Sequence, residues 1–333
     1  MLGRPACSRT IAVALGMASI LPATALASGG PPTVYSSAPR GIVSPDGASR
    51  YVTLSTRHGN LLAQIATNGG RVIDQRSLHN LPDGRSSFGI PSVASDGSPG
   101  GLSGDGRILV LGESFVQLRQ ERTSFLILYT DGLDSQRRVT LPGAYSFDAV
   151  SPDGSKLYLV QYQSNFDPTA YAIRTYDAWS GRLRHKPVID PTEPEEEMRG
   201  IPVTREMSPH GRWAYTLYDG GHGTPFIHAL DTAKSTARCI DLDVLADVSR
   251  IHRLHLAISP DGRALSINDD RGPIAEMSTT TFAVTRPELA DAARGGSDGG
   301  PPWTLFALAG VGAIAIAAAV RPGMRRRRRV AET

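Results

Sequence analysis

A short motif, Ser151-Pro152-Asp153-Gly154, stands just before the run Lys156-Leu157-Tyr158-Leu159-Val160. Within the motif, proline presets φ for a turn, aspartate bonds its own backbone, and glycine supplies a positive φ. The run after the motif, and the run Phe147-Asp148-Ala149-Val150 before it, have the short alternating character of strands. The stretch therefore predicts a β-hairpin that turns at this tetrad.

The tetrad occurs five times along the chain, at intervals of 59, 48, 57 and 51 residues. The other copies are Ser44-Pro45-Asp46-Gly47, Ser103-Gly104-Asp105-Gly106, Ser208-Pro209-His210-Gly211 and Ser259-Pro260-Asp261-Gly262. In most repeats two further strand-like runs follow, joined by a turn such as Thr67-Asn68-Gly69-Gly70. A period near 40–50 residues with four strands per repeat is typical of β-propeller blades.

We therefore predict an all-β fold, a β-propeller of four-stranded antiparallel blades over residues 28–288. Five blades are counted directly, and an open sandwich is the main alternative to a closed ring. Leu81-Pro82-Asp83-Gly84 and Ser95-Asp96-Gly97 could mark a further, degenerate blade, so six or seven blades stay open. With five blades, Thr33-Val34-Tyr35 could supply a strand that closes the ring.

The tetrad followed by Tyr51-Val52-Thr53 resembles the bacterial YVTN-type β-propeller repeats and, more loosely, the TolB-like propellers. Leu54 stands where the YVTN repeat has asparagine. The resemblance covers about residues 33–288 and implies radially arranged blades. Its five repeats fall short of the usual six or seven.

Composition and charge exclude one class of partner. The chain has 333 residues, of which 35 are glycine, 24 are proline and only 6% are aromatic, which favours short elements joined by tight turns. Residues 28–302 contain 27 bases and 31 acids, a net charge of −4, so the basic pI comes from the two ends. A nucleic-acid-binding surface needs clustered positive charge, and we expect no nucleic-acid partner.

The N-terminal end has the pattern of a secretory signal. Arg4 and Arg9 precede an apolar run from Thr10 to Leu21, and Ala25-Leu26-Ala27 resembles a cleavage site. We predict a signal peptide over residues 1–27 and an exported protein. Cys7 would leave with the signal, so no intramolecular disulfide could form in the mature chain.

The C-terminal end has the pattern of a membrane anchor. A Gly/Pro/Ser-rich stalk at 289–302 leads into residues 303–320, which have no charge, and an Arg-rich tail follows at 321–333. An apolar helix of 18 residues spans about 27 Å, just enough for a bilayer core. The positive-inside rule then predicts a single-pass protein of the cell membrane, with the propeller outside and the C-terminus cytoplasmic. Cleavage of this anchor by a sorting enzyme stays open.

Motifs for catalysis and cofactors are missing from the sequence. No G-x-S-x-G, Walker or G-x-G-x-x-G pattern occurs. His252 and His255 lie three residues apart on a predicted strand, where they would face opposite sides, and the Asp-rich segment 96–105 lacks calcium-loop spacing. We therefore predict no catalytic residue, no cofactor and no metal site.

The two faces of a propeller differ in their loops. The tetrads lie between the first and second strands of each blade, and those turns are short. The loops between second and third strands, and the crossovers between blades, lie on the other face and are longer and more charged, which suits recognition. The candidate contact residues there are Arg122, Asp167, His222, Asp269, Asp270 and Arg271.

These observations favour a membrane-anchored extracytoplasmic propeller that acts as a binding or interaction module, with an envelope protein or polysaccharide as partner. The first alternative is an enzyme of the lactonase or hydrolase type with its site in the central channel. That enzyme needs convergent polar side chains, and His255 and Arg205 are the exceptions in mostly apolar inner runs. The second alternative is a structural spacer or a sensor ectodomain.

Overall fold

The computed structural model describes residues 33–35, 38, 40–79, 87–194, 198–221 and 223–286. The predicted signal peptide, stalk, membrane helix and cytoplasmic tail lie outside these residues, as do His222 and Leu81-Pro82-Asp83-Gly84. Within the described part of the chain, no helix has the length and apolar character needed to span a membrane.

The architecture consists of five successive four-stranded antiparallel sheets, which confirms the all-β prediction. The blades comprise β2 Ile42–Val43, β3 Ser49–Thr56, β4 Gly59–Ala66 and β5 Val72–His79; β6 Phe88–Gly89, β7 Ile108–Glu113, β9 Arg122–Tyr129 and β10 Ser135–Pro142; β11 Tyr145–Val150, β12 Lys156–Tyr162, β13 Tyr171–Asp177 and β14 Arg182–Pro187; β15 Pro202–Met207, β16 Trp213–Tyr218, β17 Phe226–Asp231 and β18 Thr236–Asp241; and β19 His255–Ile258, β20 Ala264–Asp269, β21 Gly272–Ser278 and β22 Val284–Thr285. Short 3₁₀ turns occupy Pro209–Gly211, Asp243–Leu245 and Ile251–Arg253. The described residues therefore form five blades, and no sixth sheet of this kind occurs among them.

The four tetrads that contain aspartate form their turns as their residue types predict, with the serine hydroxyl donating to the aspartate carboxylate. In the remaining copy, Ser208-Pro209-His210-Gly211, His210 takes a positive φ of 67° within a 3₁₀ turn. In the first copy the Ser44 hydroxyl donates to Asp46 Oδ1 at 2.5 Å, and the Ala48 N–H donates to the same oxygen at 3.0 Å. Gly47 has φ +69°, and its N–H donates to the Ser44 carbonyl at 2.8 Å. The hydroxyl of Ser44, and then the Ala48 amide, hold the pKa of Asp46 below its usual value.

Buried clusters between neighbouring sheets form the core. They join blade 1 to blade 2, blade 2 to blade 3, blade 3 to blade 4 and blade 4 to blade 5. The outermost strands β5 and β14 are mostly exposed, whereas β7 and β11 are buried throughout. Sheets packed face to face with one outward edge define a β-propeller. Among the described residues no such cluster joins blade 5 to blade 1, and these two blades instead both line a central cavity.

The N-terminal strand does not close the ring. β1 Thr33–Tyr35 pairs antiparallel with β8 Phe115–Gln117, which belongs to the connection between the second and third strands of blade 2. The prediction of a closing strand at Thr33-Val34-Tyr35 is therefore wrong. The alternating pattern indicated a strand, but it carried no information about the partner.

The inner strand of blade 2 is interrupted by an excursion of the chain, here named the cross-ring loop (residues 90–101). Phe88 pairs with Glu113 at one end of β7, and Leu102 pairs with Leu109 near the other. Between these pairs the N–H groups of Ser95 and Asp96 donate to backbone carbonyls of β15 in blade 4, at 2.9 and 3.1 Å. Ser95-Asp96-Gly97 is therefore the tip of this loop rather than a mark of an additional blade.

Candidate functional site

A cavity of about 290 Å³ opens on the face opposite the tetrads, and we name it the loop-face cavity. Its wall comes from the cross-ring loop, the inner strand of blade 3, and the connections that precede β13 and β15. The lining residues are Ser92, Val93, Ala94, Ser95, Ser146, Phe147, Asp148, Val160, Tyr162, Pro168, Tyr171, Gly200, Ile201, Pro202 and Tyr218. Aspartate 148 is the one charged residue among them, so the lining is mainly aromatic, aliphatic and neutral.

Three tyrosines give this lining its chemical character. The rings of Tyr171 and Tyr218 lie 6.3 Å apart, and Tyr218 also stacks on Phe226 at 5.0 Å. The Tyr171 hydroxyl donates to the Gly200 carbonyl at 3.3 Å, and the hydroxyls of Tyr162 and Ser146 are 3.1 Å apart. Burial raises the pKa of all three phenols, so they remain neutral hydrogen-bonding groups.

A buried ion pair lies between the loop-face cavity and the centre of the ring. The Arg205 guanidinium donates to Asp148 Oδ1 and to the Asp148 carbonyl, and both side chains are only 3% exposed. Arg205 Nε also donates to Thr216 Oγ1 at 2.8 Å. The second carboxylate oxygen, Asp148 Oδ2, is buried and has no hydrogen-bond partner among the described residues. A buried acceptor without a donor is costly, and Asp148 is one of the residues that line the loop-face cavity.

A buried histidine lies beside the same pair. His228 is 1% exposed, and its ring packs edge-on against Tyr218 at 6.3 Å. Its Nδ1 has no hydrogen-bond partner within the part of the chain that the structure describes. Burial is the main cause that lowers the pKa of His228 to about 4. The charges of Asp148 and Asp190 oppose this shift, whereas the charge of Arg205 adds to it. The imidazole therefore stays neutral in the folded protein over the physiological range.

The pKa of His228 predicts an acid-dependent loss of stability. Unfolded histidine binds its proton near pH 6.5, so the stabilisation is complete above that pH and is lost as the pH falls towards 4. The contribution is about 3 kcal/mol at most. Replacing His228 with leucine should therefore flatten unfolding free energy against pH between 7 and 4, measured by urea denaturation. The control is His255→Leu on an exposed strand position, and equal slopes for wild type and H228L would contradict the prediction.

A second cavity, of about 800 Å³, lies at the tetrad face near the centre of the ring, and we name it the tetrad-face cavity. Besides Arg205, its polar lining includes Arg40, Asp96, Glu206, His210 and His255. Burial raises the pKa of Glu206. The sequence predicted only two polar residues, Arg205 and His255, on the inner strands. The lining of this cavity contains more polar residues than that prediction. Within the described part of the chain, no group of three His, Cys, Asp or Glu side chains is arranged to hold a metal.

The predicted contact residues lie at the connections between the second and third strands of three different blades. Arg122 is the first residue of β9 and is exposed. Asp167 is held in a turn by the hydroxyl and amide of Thr169, at 2.6 and 2.8 Å, and these two bonds lower its pKa. Its neighbour Pro168 lines the loop-face cavity. This position is the closest link between the predicted residues and the cavity.

Asp269, Asp270 and Arg271 form one turn in blade 5, whereas the sixth predicted residue, His222, lies outside the described residues. Asp269 Oδ1 accepts the N–H of Arg271 at 2.7 Å and that of Gly272 at 3.2 Å. Asp270 lies 3.7 Å from Arg253, and both side chains are well exposed. The structure therefore joins Asp269, Asp270 and Arg271 in a single turn, apart from Arg122 and Asp167 in blades 2 and 3.

The residues that sequence reasoning missed are the cavity residues Asp148, Tyr162, Tyr171 and Tyr218. Each lies within a strand, and an alternating strand pattern is ordinarily that of a packed blade. The single available signal was a charged residue inside the apolar run Phe147-Asp148-Ala149-Val150.

Two exposed apolar side chains, Phe166 and Ile201, together with the exposed cation Arg119, form a group that we name the rim (Arg119, Phe166 and Ile201). The rim adjoins the loop-face cavity through Ile201 and through Pro168, two residues after Phe166. Phe166 is 68% exposed, and the Arg119 guanidinium lies over its ring at 4.1 Å. Ile201 is 44% exposed and lines the cavity itself. An exposed aromatic ring beside a concave pocket is a common feature of recognition surfaces.

No protein-family model matches the chain, and no curated protein matches it in sequence. Among solved structures, a TolB-type protein from Agrobacterium tumefaciens is 17% identical, with a TM-score of 0.42 over 77% of this chain and 80% of that one. An oligogalacturonate lyase in complex with manganese is 12% identical, with a TM-score of 0.45 over 74% and 63%. The Swd1 β-propeller domain from Myceliophteria thermophila is 10% identical, with a TM-score of 0.41 over 72% and 65%. At this level of similarity the likeness concerns the fold alone.

Proposed function

We propose that this chain is an exported β-propeller, held at the cell membrane by residues 303–320, that acts as a binding module through the face opposite its tetrads. The propeller supplies a rigid frame, and the longer loops on that face present the recognition surface. An envelope protein or polysaccharide is the class of partner that this location brings within reach.

One observation carries the proposal: the exposed rim beside the loop-face cavity. A phenylalanine that is 68% exposed gains from being covered, since burying its ring removes apolar surface from water. Arg119 adds a cation beside the same ring. The rim and the cavity together combine an apolar anchor, a charge and a concavity, which are the usual parts of an interface hot spot.

The chain offers a matched pair of residues to test this proposal. Phe166 and Trp179 are both exposed aromatics of blade 3, at 68% and 64%, but Phe166 precedes β13 and Trp179 follows it, on opposite faces. In cross-linking of the full-length protein in its own membrane fraction, Phe166→Ser should reduce recovery of the partner by about tenfold or more. Trp179→Ser should leave recovery unchanged.

The outcomes separate the alternatives. Equal recovery for both variants and wild type would contradict the contact face and favour the spacer role. Loss only with Trp179→Ser would move the contact surface to the tetrad face. Absence of the mature chain, residues 28–333, from the membrane fraction would contradict the anchoring half of the proposal.

A second candidate function is an enzyme with its site in the tetrad-face cavity. The favouring observation is Glu206, a carboxyl group whose pKa is raised by burial in a cavity that also contains His255 and Asp96. Raised carboxyl pKa values occur at general acids. The binding role remains our first proposal because the rim gives it an exposed aromatic anchor, whereas Glu206, His255 and Asp96 have in common only that they line one cavity.

A further inference from the structure

We propose that the loop-face cavity binds a small uncharged aromatic molecule with one hydrogen-bond donor, a phenol- or indole-like ring whose O–H or N–H meets the Asp148 carboxylate. This inference deepens the proposed function by naming the ligand chemistry of the same face. It stands on the cavity itself and does not require the membrane anchor.

Size and lining select a small ring. A cavity of about 290 Å³ is at the lower end of the range of ligand pockets, so it suits one or two fused rings rather than a peptide or a sugar chain. Phe147, Tyr162, Tyr171 and Tyr218 provide aromatic walls, and Val160 and Pro202 provide aliphatic ones. Aromatic rings pack against such walls edge-on or offset, with a gain beyond buried area alone.

The charges around the cavity favour a neutral ligand. The negative charge of Asp148 is already balanced by Arg205, and both groups are nine-tenths buried or more. His228, which lies beside this pair, is neutral and equally buried. A cationic ligand would leave a net buried charge, which is costly in this surrounding, and an anionic ligand would oppose Asp148 directly.

The unpartnered oxygen requires a donor. Arg205 donates to Asp148 Oδ1, whereas no described residue donates to the buried Asp148 Oδ2. A ligand O–H or N–H would satisfy that acceptor, and a charged acceptor makes such a bond stronger than a neutral one. The phenol oxygens of Tyr162 and Tyr171 are engaged with Ser146 and Gly200, which leaves Asp148 as the selective group.

The same ring could reach the cavity from two sources, as a free compound or as a tyrosine or tryptophan side chain of the envelope partner. The shared chemistry is the ring and its donor. If p-cresol releases the partner captured through Phe166, the source is a side chain. If it binds without releasing that partner, the source is a free compound.

The test compares neutral probes on the wild-type propeller by calorimetry and thermal shift. We expect saturable binding of p-cresol and indole, and p-cresol should bind about tenfold more tightly than toluene, which has the same ring but no donor. Tyramine, which carries an ammonium group, should bind more weakly than p-cresol. Equal affinity for toluene and p-cresol, or no saturable binding of either, would overturn the proposal.

Two variants locate the site. Ala94→Leu adds bulk to a lining position that is 8% exposed and should weaken p-cresol binding by about tenfold. His255→Leu changes a lining residue of the tetrad-face cavity and should leave p-cresol binding unchanged. The reverse pattern would place the ligand in the other cavity and overturn the assignment. Binding of p-cresol is measured on the propeller without its partner, so failure of the contact-face proposal and failure of this one are distinguishable.

Discussion

Replacing Arg205 with methionine is expected to lower the free energy of unfolding by about 3–5 kcal/mol, the largest effect we predict for a single substitution. Arg205 and Asp148 are each 3% exposed, and Arg205 joins the inner strands of blades 3 and 4. Methionine preserves much of the packing volume but leaves a buried carboxylate without its cation. Urea or thermal denaturation of purified protein at neutral pH measures the loss.

A double variant and a control at an exposed ion pair show whether the loss of stability comes from the unpaired buried charge. The double variant Arg205→Met with Asp148→Leu removes both charges, so it should be more stable than the single variant by about 2 kcal/mol. The control is Asp270→Asn, because Asp270 and Arg253 are 3.7 Å apart and exposed, and such pairs contribute roughly 0–1 kcal/mol. An R205M variant as stable as wild type would show that the pair is not needed for the join between blades 3 and 4.

Alanine at position 104 is expected to destabilise the protein by about 1–3 kcal/mol. Gly104 takes the place of proline in its tetrad, and a Cβ added there would lie 2.1 Å from the carbonyl oxygen of His210. Gly211 in turn lies against the Cα of Gly104. The tetrads of blades 2 and 4 are therefore in contact through their backbone atoms. An added methyl group at Gly104 would fit only if the two blades moved apart.

The matched control for this prediction is Gly112→Ala. An added Cβ at Gly112 would meet its nearest neighbour, Phe125 Cδ1, at 3.7 Å, an ordinary contact. Neither glycine has the positive φ that would penalise alanine by itself. Thermal unfolding should therefore separate the two variants, with Gly112→Ala close to wild type. Equal stability of both variants would contradict the close approach at Gly104.

The sequence predicted which face of the propeller carries the candidate site, but it did not predict the site itself. Sequence reasoning selected the loops opposite the tetrads, and the loop-face cavity opens there, with Pro168 beside the predicted Asp167. Whether Arg122, Asp167, Asp269, Asp270 and Arg271 contact a partner stays a prediction. The cavity itself could not be read from the chain, because its wall combines residues such as Asp148 and Ser95, which are distant in sequence.

The amino-acid sequence alone determined the repeat, its four strands and the turns that join them. In Ser44-Pro45-Asp46-Gly47, the hydrogen bonds that join Ser44, Asp46, Ala48 and Ser49 all form within five residues, so the residue types suffice to specify the turn. The tertiary structure alone decided which blades meet. Asp148 and Arg205 are 57 positions apart, and Ser95 reaches β15 across the ring. An alternating strand pattern specifies that a face is buried without specifying its partner, so contacts of this kind depend on how the blades pack.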